Sequence, residues 1–158
     1  MKINVGVIYG GESVEHEVSI ISALQAINAL DASLYNVIPL YISKQRKLYS
    51  SKALLEINNY QDLNKLISNI DEVYLLNEGN KVTLRAVKAK LFSKKYPQTI
   101  DLVIPVIHGT NGEDGTVQGY LEMLKLPYVG CDVIAAGVGQ DKVIMKHVLA
   151  GNGIPIGV

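Results

Sequence analysis

The sequence has little cysteine, no excess of charge and no long apolar run. Its single cysteine, Cys131, cannot by itself form an intramolecular disulfide or a thiolate metal site, so we expect a reducing, cytoplasmic compartment. Fifteen Lys and Arg residues balance fifteen Asp and Glu residues, which argues against a dedicated nucleic-acid binder. No apolar run approaches the roughly 20 residues of a membrane span. The run that ends at residues 10–11 is also too short for a signal peptide.

What is present suits a folded α/β protein. The chain has 158 residues, of which 48% are hydrophobic and 19% charged, enough for one domain or for one domain and part of a second. Residues 3–9 form a continuous β-branched run, which is typical of a buried parallel strand. A helical pattern starts at Val18, and residues 35–42 are predicted to form a second strand. Pro39 in that strand indicates an edge position or a bulge.

The predicted first helix is amphipathic. Ile20, Leu24 and Ile27 recur at spacings of three and four residues, and polar residues such as Ser19 and Ser22 fall between them. Strand, glycine turn, helix and strand together predict a right-handed βαβ unit. The other predicted elements are a helix over 62–70, a hairpin of 73–76 with 82–84, a strand over 101–107, a helix over 117–124, a strand over 127–129, and helices over 132–139 and 141–150.

A basic stretch lies in the less regular middle of the chain. It contains four lysines, but no repeated aromatic residues accompany them. We therefore interpret it as a solvated face and not as a nucleic-acid patch. Its members are Lys88, Lys90, Lys94 and Lys95.

The first candidate functional loop follows the first strand and covers residues 10–19, GGESVEHEVS. Ligands of open parallel sheets bind beyond the carboxyl ends of the strands, and glycines let a ligand approach the backbone. Ser13 is a candidate N-cap for the following helix. Glu12 and Glu17 suit either helix-dipole stabilisation or ligand binding, and Glu15 binds a ligand only if it points into the cleft. The loop fits neither a dinucleotide fingerprint nor a zincin motif.

The second candidate loop, residues 108–115, follows the strand predicted over 101–107. His108 either caps its strand or donates to a carboxylate or oxyanion, and the acidic pair Glu113 and Asp114 suits capping of the next helix. Lys142 either holds a phosphate or is an ordinary surface lysine. Three histidines without an H-x-H pair make a zinc site improbable, so no metal site is predicted.

Both loops together resemble the N-terminal portion of the D-alanine–D-alanine ligase family, whose fold is the ATP-grasp fold. The resemblance covers residues 1–42 and 101–158, and the joint specificity of two long motifs in the right order is high. The matching segments are GGESVEHEVS at 10–19, HGTNGEDGTVQG at 108–119, Leu121-Glu122, PYVG at 127–130, Asp141-Lys142 and Lys146.

The resemblance implies a Rossmann-like, three-layer α/β domain with a mostly parallel sheet over residues 1–140. Residues 141–158 would then begin the ATP-grasp central domain. Many relatives have Ser-Ala where this chain has Ala136-Gly137, and Met where it has Gln140. These departures concern the nucleotide contact near Lys142 and not the substrate residues.

The resemblance also implies roles for single residues. Glu15 would hold the ammonium of the first D-alanine, Val18 would pack near the substrate methyl, and His108 would lie close to the substrate carboxylate and the transferred acyl group. Glu15 and His108 are thus the expected catalytic residues. Lys142 would reach toward the nucleotide phosphates. ATP and Mg²⁺ are the expected cofactors of the complete protein, most of whose ligands for them lie outside this chain.

The implied activity is ATP-dependent joining of two D-alanines for peptidoglycan synthesis, with a homodimer as the implied assembly. We expect these 158 residues alone to be inactive, because the nucleotide-binding loop and magnesium ligands of the family are missing from them. Two alternatives stay open: a related D-Ala–D-Lac or D-Ala–D-Ser ligase, and a stand-alone amino-acid-binding module without catalysis.

Overall fold

One seven-stranded sheet organises the molecule. The computed structural model describes residues 2–88 and 95–157. Within them the strand order is β6-β5-β4-β3-β2-β1-β7. The strands are β1 (Ile3–Gly10), β2 (Tyr35–Ile42), β3 (Leu48–Ser50), β4 (Asp71–Asn77), β5 (Val82–Ala86), β6 (Gln98–Ile100) and β7 (Leu102–Val106).

Helices cover both faces of this sheet, which makes three layers. They are α1 (His16–Ala29), α2 (Leu63–Ser68), α3 (Thr116–Met123), α4 (Val133–Gln140) and α5 (Lys142–Gly151), with 3-10 turns at Lys52–Leu55 and Ile57–Asp62. The predicted helices over 62–70, 117–124, 132–139 and 141–150 are thus confirmed to within two residues at each end. Asp62, Asp132 and Asp141 cap three of them through side-chain oxygens.

The central strands send alternate side chains into two separate cores, as parallel strands covered on both faces do. From β1, Val5 and Val7 enter a core with Ala23 and Leu24 of α1. Ile8 faces the opposite core. That second core contains Leu40, Val103, Val117 and Leu121, so α3 covers this face.

The predicted α/β, Rossmann-like fold is confirmed, and its parallel pairing is confined to the core β2–β1–β7. Beyond β2 the sheet continues through antiparallel pairs, including the predicted hairpin of β4 and β5. β2 pairs with β1 in continuous register, so Pro39 causes no bulge. Only Tyr41 and Ile42 pair with β3, so Pro39 lies on a free edge of β2, where the lack of an N–H costs no ladder bond.

The structure corrects several local predictions. α1 begins at His16, two residues before the predicted start, and its N-cap is Glu15 and not Ser13. Ser19 was expected on the polar side of α1 but is fully buried. The strand expected over 127–129 is reduced to a single bridge between Val103 and Tyr128, because Pro127 supplies no N–H for a longer ladder.

Two further observations bear on the sequence-based expectations. Lys90 and Lys94 of the basic stretch lie outside the described residues. Lys95 binds Asp71 at 2.9 Å, so this lysine stabilises the antiparallel extension of the sheet.

Across residues 2–88 and 95–157, none of the helices has both the length and the apolar character needed to cross a bilayer.

Candidate functional site

The candidate site lies at the carboxyl ends of β1 and β7, where the connections leave in opposite directions. After β1 the chain enters α1 on one face of the sheet, and after β7 it leads to α3 on the other face. Such a divergence between neighbouring parallel strands opens the crevice in which α/β proteins bind ligands. The loop of residues 10–15 and the loop of residues 107–115 form the two sides of this crevice; we call them loop 1 and loop 2.

Loop 1 carries Glu15 to loop 2. A Cβ atom placed on Gly109 would lie 3.3 Å from Oε2 of Glu15 and 2.8 Å from Oγ of Ser13. Gly109 also has φ +71°, a conformation that L side chains rarely adopt. The absent side chain of Gly109 therefore makes room for loop 1.

His108 lies next to Gly109 and therefore close to the Glu15 carboxylate. Its Nε2 atom is 3.1 Å from Oγ of Ser22 on α1. Its Nδ1 atom is 3.7 Å from Oε1 of Glu113 in loop 2, an ion pair when the imidazole is protonated. Both ring nitrogens therefore have polar neighbours, and about a third of the side chain remains exposed.

His16 anchors loop 1 from below. It is fully buried, with Nδ1 2.6 Å from the carbonyl oxygen of Gly11 and Nε2 3.0 Å from the hydroxyl of Tyr41. A carbonyl only accepts, so Nδ1 carries a proton, and in the neutral imidazole Nε2 then accepts from the Tyr41 hydroxyl. Burial raises the pKa of Tyr41 to about 12, which keeps this hydroxyl available as a donor. The motif histidine therefore shapes the loop from within the core.

The two flanking glutamates of loop 1 and α1 pair with cations from the turn after β2. Glu12 Oε2 lies 2.6 Å from Nε of Arg46, and Glu17 Oε1 lies 2.8 Å from Nζ of Lys44. The hydrogen bond from Lys44 holds the pKa of Glu17 below its usual value. Both glutamates thus hold loop 1 to the neighbouring strand connection, and Glu15 is the acid of this motif that turns toward loop 2.

Loop 2 is held by its own side chains. Asp114 accepts from the backbone N–H of Asn111 at 2.8 Å and of Thr116 at 3.0 Å. Partial burial works against ionisation, but these hydrogen bonds lower the pKa of Asp114. Gln118 is buried and donates from Nε2 to the carbonyl of Gly112 at 3.1 Å. These hydrogen bonds within loop 2 stabilise its conformation.

The other two predicted site residues lie farther out. Val18 follows Glu15 by less than one turn of α1, and 52% of its surface is exposed. Lys142 is the first residue of α5, which packs on α4, and its side chain is exposed. No hydrogen bond or ion pair joins Lys142 to the described residues around Glu15. The structure thus places Glu15 and His108 on two loops that meet at Gly109, and it places Lys142 outside this region.

Sequence reasoning missed the buried polar side chains under the loops, above all Ser19. This residue accepts from the Gly10 N–H at 2.8 Å and donates to the Val106 carbonyl at 2.5 Å. A signal was available, because His16 and Ser19 fall on the same helical stripe as Ile20 and Ala23. A polar residue on a buried stripe indicates a hydrogen-bonded internal role.

A cavity of about 280 Å³ adjoins loops 1 and 2 on the α3 side of the strand ends. Ile42, Ile107 and Val117 form part of its wall, and Arg46 and Glu12 also line it. No group of three or more His, Cys, Asp or Glu side chains comes together among residues 2–88 and 95–157.

An open α/β sheet that carries Glu15 and His108 on the two loops at its switch point has the arrangement in which α/β proteins bind small polar ligands. Comparison with known proteins gives the family. The chain belongs to the family described as the D-ala D-ala ligase N-terminus, which matches residues 4–131.

Named relatives agree. The D-alanine–D-alanine ligase of Geobacillus thermodenitrificans is 41% identical over 161 residues, which cover 98% of this chain and 41% of that protein. The structure of the Coxiella burnetii D-alanine–D-alanine ligase matches with a TM-score of 0.84 and 32% identity, over 98% of this chain and 42% of that one. VanG D-Ala:D-Ser ligase from Enterococcus faecalis matches with a TM-score of 0.76 and 29% identity, over 99% and 43%. The chain therefore spans about two fifths of its relatives' length.

Proposed function

We propose that this chain supplies the amino-acid-binding part of an ATP-dependent ligase that joins two D-alanines for peptidoglycan synthesis. The observation that carries the proposal is the placement of the Glu15 carboxylate beside Gly109, next to His108, at the switch point of the sheet. The family and the relatives named above support it, since each is a ligase of a D-amino acid.

The pair Glu15 and His108 suits a zwitterionic amino acid. In the proposal, Glu15 accepts a charge-assisted hydrogen bond from the substrate ammonium, a short and strong contact. His108, oriented by Ser22 and Glu113, lies toward the substrate carboxylate and stabilises the charge that develops there. Val18 contributes apolar surface next to the substrate methyl. Two oppositely charged ends held on two loops fix the orientation of the first D-alanine.

The chemistry then proceeds in two transfers. The carboxylate of the first D-alanine attacks the γ-phosphorus of ATP, which forms an acyl phosphate and releases ADP. The amine of the second D-alanine attacks the acyl carbon, the C–O bond to phosphate breaks, and the amine loses a proton. Such transfers are accelerated mainly by positioning and charge neutralisation. Lys142 is proposed to neutralise nucleotide phosphate from the start of α5.

Magnesium is proposed to bind elsewhere in the ligase. The acidic and histidine side chains of residues 2–88 and 95–157 do not gather in groups of three, so they do not fit a metal centre. We place the domain boundary at residues 140 and 141. In support, none of the residues of α5 is buried, and Val143, Ile144 and Val148 expose apolar surface.

Assembly and location complete the proposal. We infer a homodimer, as the resemblance implies, and sedimentation would measure its mass. A cytoplasmic location agrees with the need for ATP and with a single exposed cysteine, Cys131. The VanG match keeps D-serine as a candidate second substrate, because Glu15 and His108 contact only the first amino acid in this proposal.

The decisive experiment measures phosphate release from Mg-ATP by the product of the complete reading frame, with D-alanine alone and with D-alanine plus D-serine or D-lactate. We expect release with D-alanine alone. Binding of D-alanine without phosphate release would support the amino-acid-binding module instead. The 158 residues on their own are expected to fold, to release no phosphate and to give no calorimetric signal with Mg-ATP.

A further inference from the structure

Ser19 occupies an unusual place in the sheet. It is a fully buried serine on α1 whose hydroxyl lies between the ends of two parallel strands. Its oxygen accepts from the N–H of Gly10, the last residue of β1, at 2.8 Å. It donates its proton to the carbonyl of Val106, the last residue of β7, at 2.5 Å. The Ser19 hydroxyl thus acts once as acceptor and once as donor, and it satisfies both backbone groups.

The hydroxyl marks the point at which the sheet opens. Tyr9 and Val106 are the last residues of β1 and β7 that pair in register. Beyond this pair, the N–H of Gly10 and the carbonyl of Val106 bind the Ser19 hydroxyl instead of each other. A side chain from the helix layer is therefore inserted between the two strands at the base of the crevice, where loops 1 and 2 begin.

The first two turns of α1 contact the backbone of Glu15 and the side chain of His108. The N–H of Ser19 donates to the carbonyl of Glu15 at 2.9 Å, the first helical bond of α1. One turn later, Ser22 contacts Nε2 of His108 at 3.1 Å. Two hydrogen bonds thus link the backbone of Glu15 through Ser19 to Val106, which precedes His108 by two residues. Glu15, Ser19 and Ser22 share one face because they are spaced by four and three residues.

We propose that Ser19 is a positioning residue that sets the distance between the Glu15 carboxylate and the His108 imidazole. The inference rests on the proposed function, because that distance has to match the separation between the ammonium and the carboxylate of one amino acid. An error of about 1 Å in such an arrangement costs a rate factor of about 10². Ser19 itself does not touch the substrate.

The kinetic test compares Ser19→Ala with Ser43→Ala in the product of the complete reading frame. Ser43 is a matched control, since it is also buried at a strand end, but its hydroxyl accepts from the backbone N–H of Lys47 within its own turn, at 3.3 Å. We expect both variants to melt at a lower temperature. Only Ser19→Ala should reduce kcat/KM for D-alanine, by about 10- to 100-fold. Equal kinetics for the two variants would overturn the proposal.

A double-mutant cycle tests the path through Glu15. If Ser19 acts by positioning Glu15, the fold-loss of kcat/KM in the double variant Ser19→Ala/Glu15→Gln is smaller than the product of the two single fold-losses. For Ser43→Ala combined with Glu15→Gln, the two fold-losses should multiply. Fully multiplicative losses for the first pair would contradict the proposal. Ser19→Cys keeps nearly the same volume with a weak donor and acceptor. It should fold if the alanine variant does not, and its kinetics should resemble the alanine variant and not the wild type.

Amide NMR of the 158-residue chain gives a readout that does not depend on activity. Ser19→Cys should shift amide resonances in both loop 1 and loop 2, and Ser43→Ala should shift those around residues 43–47. Shifts confined to Gly10 and the mutated position would overturn the inference. A wild-type enzyme that forms no dipeptide would refute the proposed function alone, and the NMR result would still decide whether Ser19 couples the loops.

Discussion

Nε2 of His108 lies 3.1 Å from Oγ of Ser22, so loop 2 rests directly on the helix that follows loop 1. This contact joins two segments that are 86 residues apart in sequence. It means that α1 supports both halves of the candidate site, and that substitutions on α1 should affect substrate binding and catalysis more than substitutions on α3 or α4.

Glu15→Gln should weaken binding of the first D-alanine in the complete enzyme. Glutamine keeps the size of the side chain but loses the charge that faces the ammonium. Hydrogen bonds to charged groups contribute about 1.5–3 kcal/mol, so KM for that site should rise about tenfold to a hundredfold. Glu12→Gln is the control, because Glu12 pairs with Arg46 instead. An unchanged KM in Glu15→Gln would assign Glu15 to stabilisation of the helix dipole only.

His108→Ala should reduce kcat by a factor of about 10²–10³, the usual cost of losing one donor to a developing charge. Steady-state kinetics and thermal unfolding should be measured on one preparation. His147→Ala, which changes an exposed histidine of α5, is expected to leave both unchanged. A His108 variant with normal kcat and a lower melting temperature would indicate that the side chain only caps its strand.

Lys142→Met should raise KM for ATP about tenfold and leave KM for D-alanine unchanged, since a charge-assisted contact to phosphate would be lost. Lys142 is exposed at the start of α5 and lies outside the Glu15–His108 pair. The matched control is Lys125→Met, another exposed lysine, which follows α3. Equal ATP kinetics in both variants would leave Lys142 as an ordinary surface residue.

Stability should decrease steeply in alkali, because the core contains hydrogen-bonded tyrosines. Burial raises the pKa of Tyr41 to about 12 and that of Tyr9 and Tyr60 further above the ordinary value of 10.0. Above pH 10 the unfolded chain loses these protons while the folded chain retains them. The free energy of unfolding should therefore fall by about 1.4 kcal/mol per pH unit for each tyrosine, starting near the unfolded pKa.

Urea unfolding at several alkaline pH values measures this slope. Tyr9→Phe should reduce the slope of the free energy of unfolding against pH by the contribution of one proton. The same substitution also removes the 2.6 Å hydrogen bond to Tyr60, so it lowers stability at neutral pH. Tyr74→Phe removes the hydroxyl of an exposed tyrosine and is the control for the substitution itself. A slope that is the same in all three proteins would contradict the assignment to the buried tyrosines.

The parallel core was predictable because the sequence patterns of its strands and of α1 extend over many residues. The apolar runs of β1, β2 and β7 and the helical spacing of Ile20, Leu24 and Ile27 extend over many residues, so local pattern and tertiary burial agree. β3 and β6 have three residues each, too few for a period to be visible. Their pairing depends on contacts that are distant in sequence, such as that of Tyr49 with Glu72.

The candidate site was predictable only in part for a related reason. A motif gives the residue types of both loops, and parallel topology places both strand ends at one edge, so the proximity of Glu15 and His108 followed. The hydrogen bonds that support these two residues could not be predicted, because a serine hydroxyl that bridges two strands leaves no pattern in the sequence. Only the tertiary structure shows that Ser19 satisfies both Gly10 and Val106.

The antiparallel extension of the sheet gives the protein a natural place for insertions and labels. The turn between β4 and β5 belongs to the extension, several strands away from β1 and β7 in the sheet order, and a Cβ atom on Gly79 would meet nothing within 4 Å. Chain length could therefore change at this turn during evolution without displacing the ligand crevice. Gly79 itself has φ +90°, which L side chains rarely adopt, so a fluorophore or affinity peptide is better introduced at the exposed Asn80 beside it, where it should leave the site undisturbed.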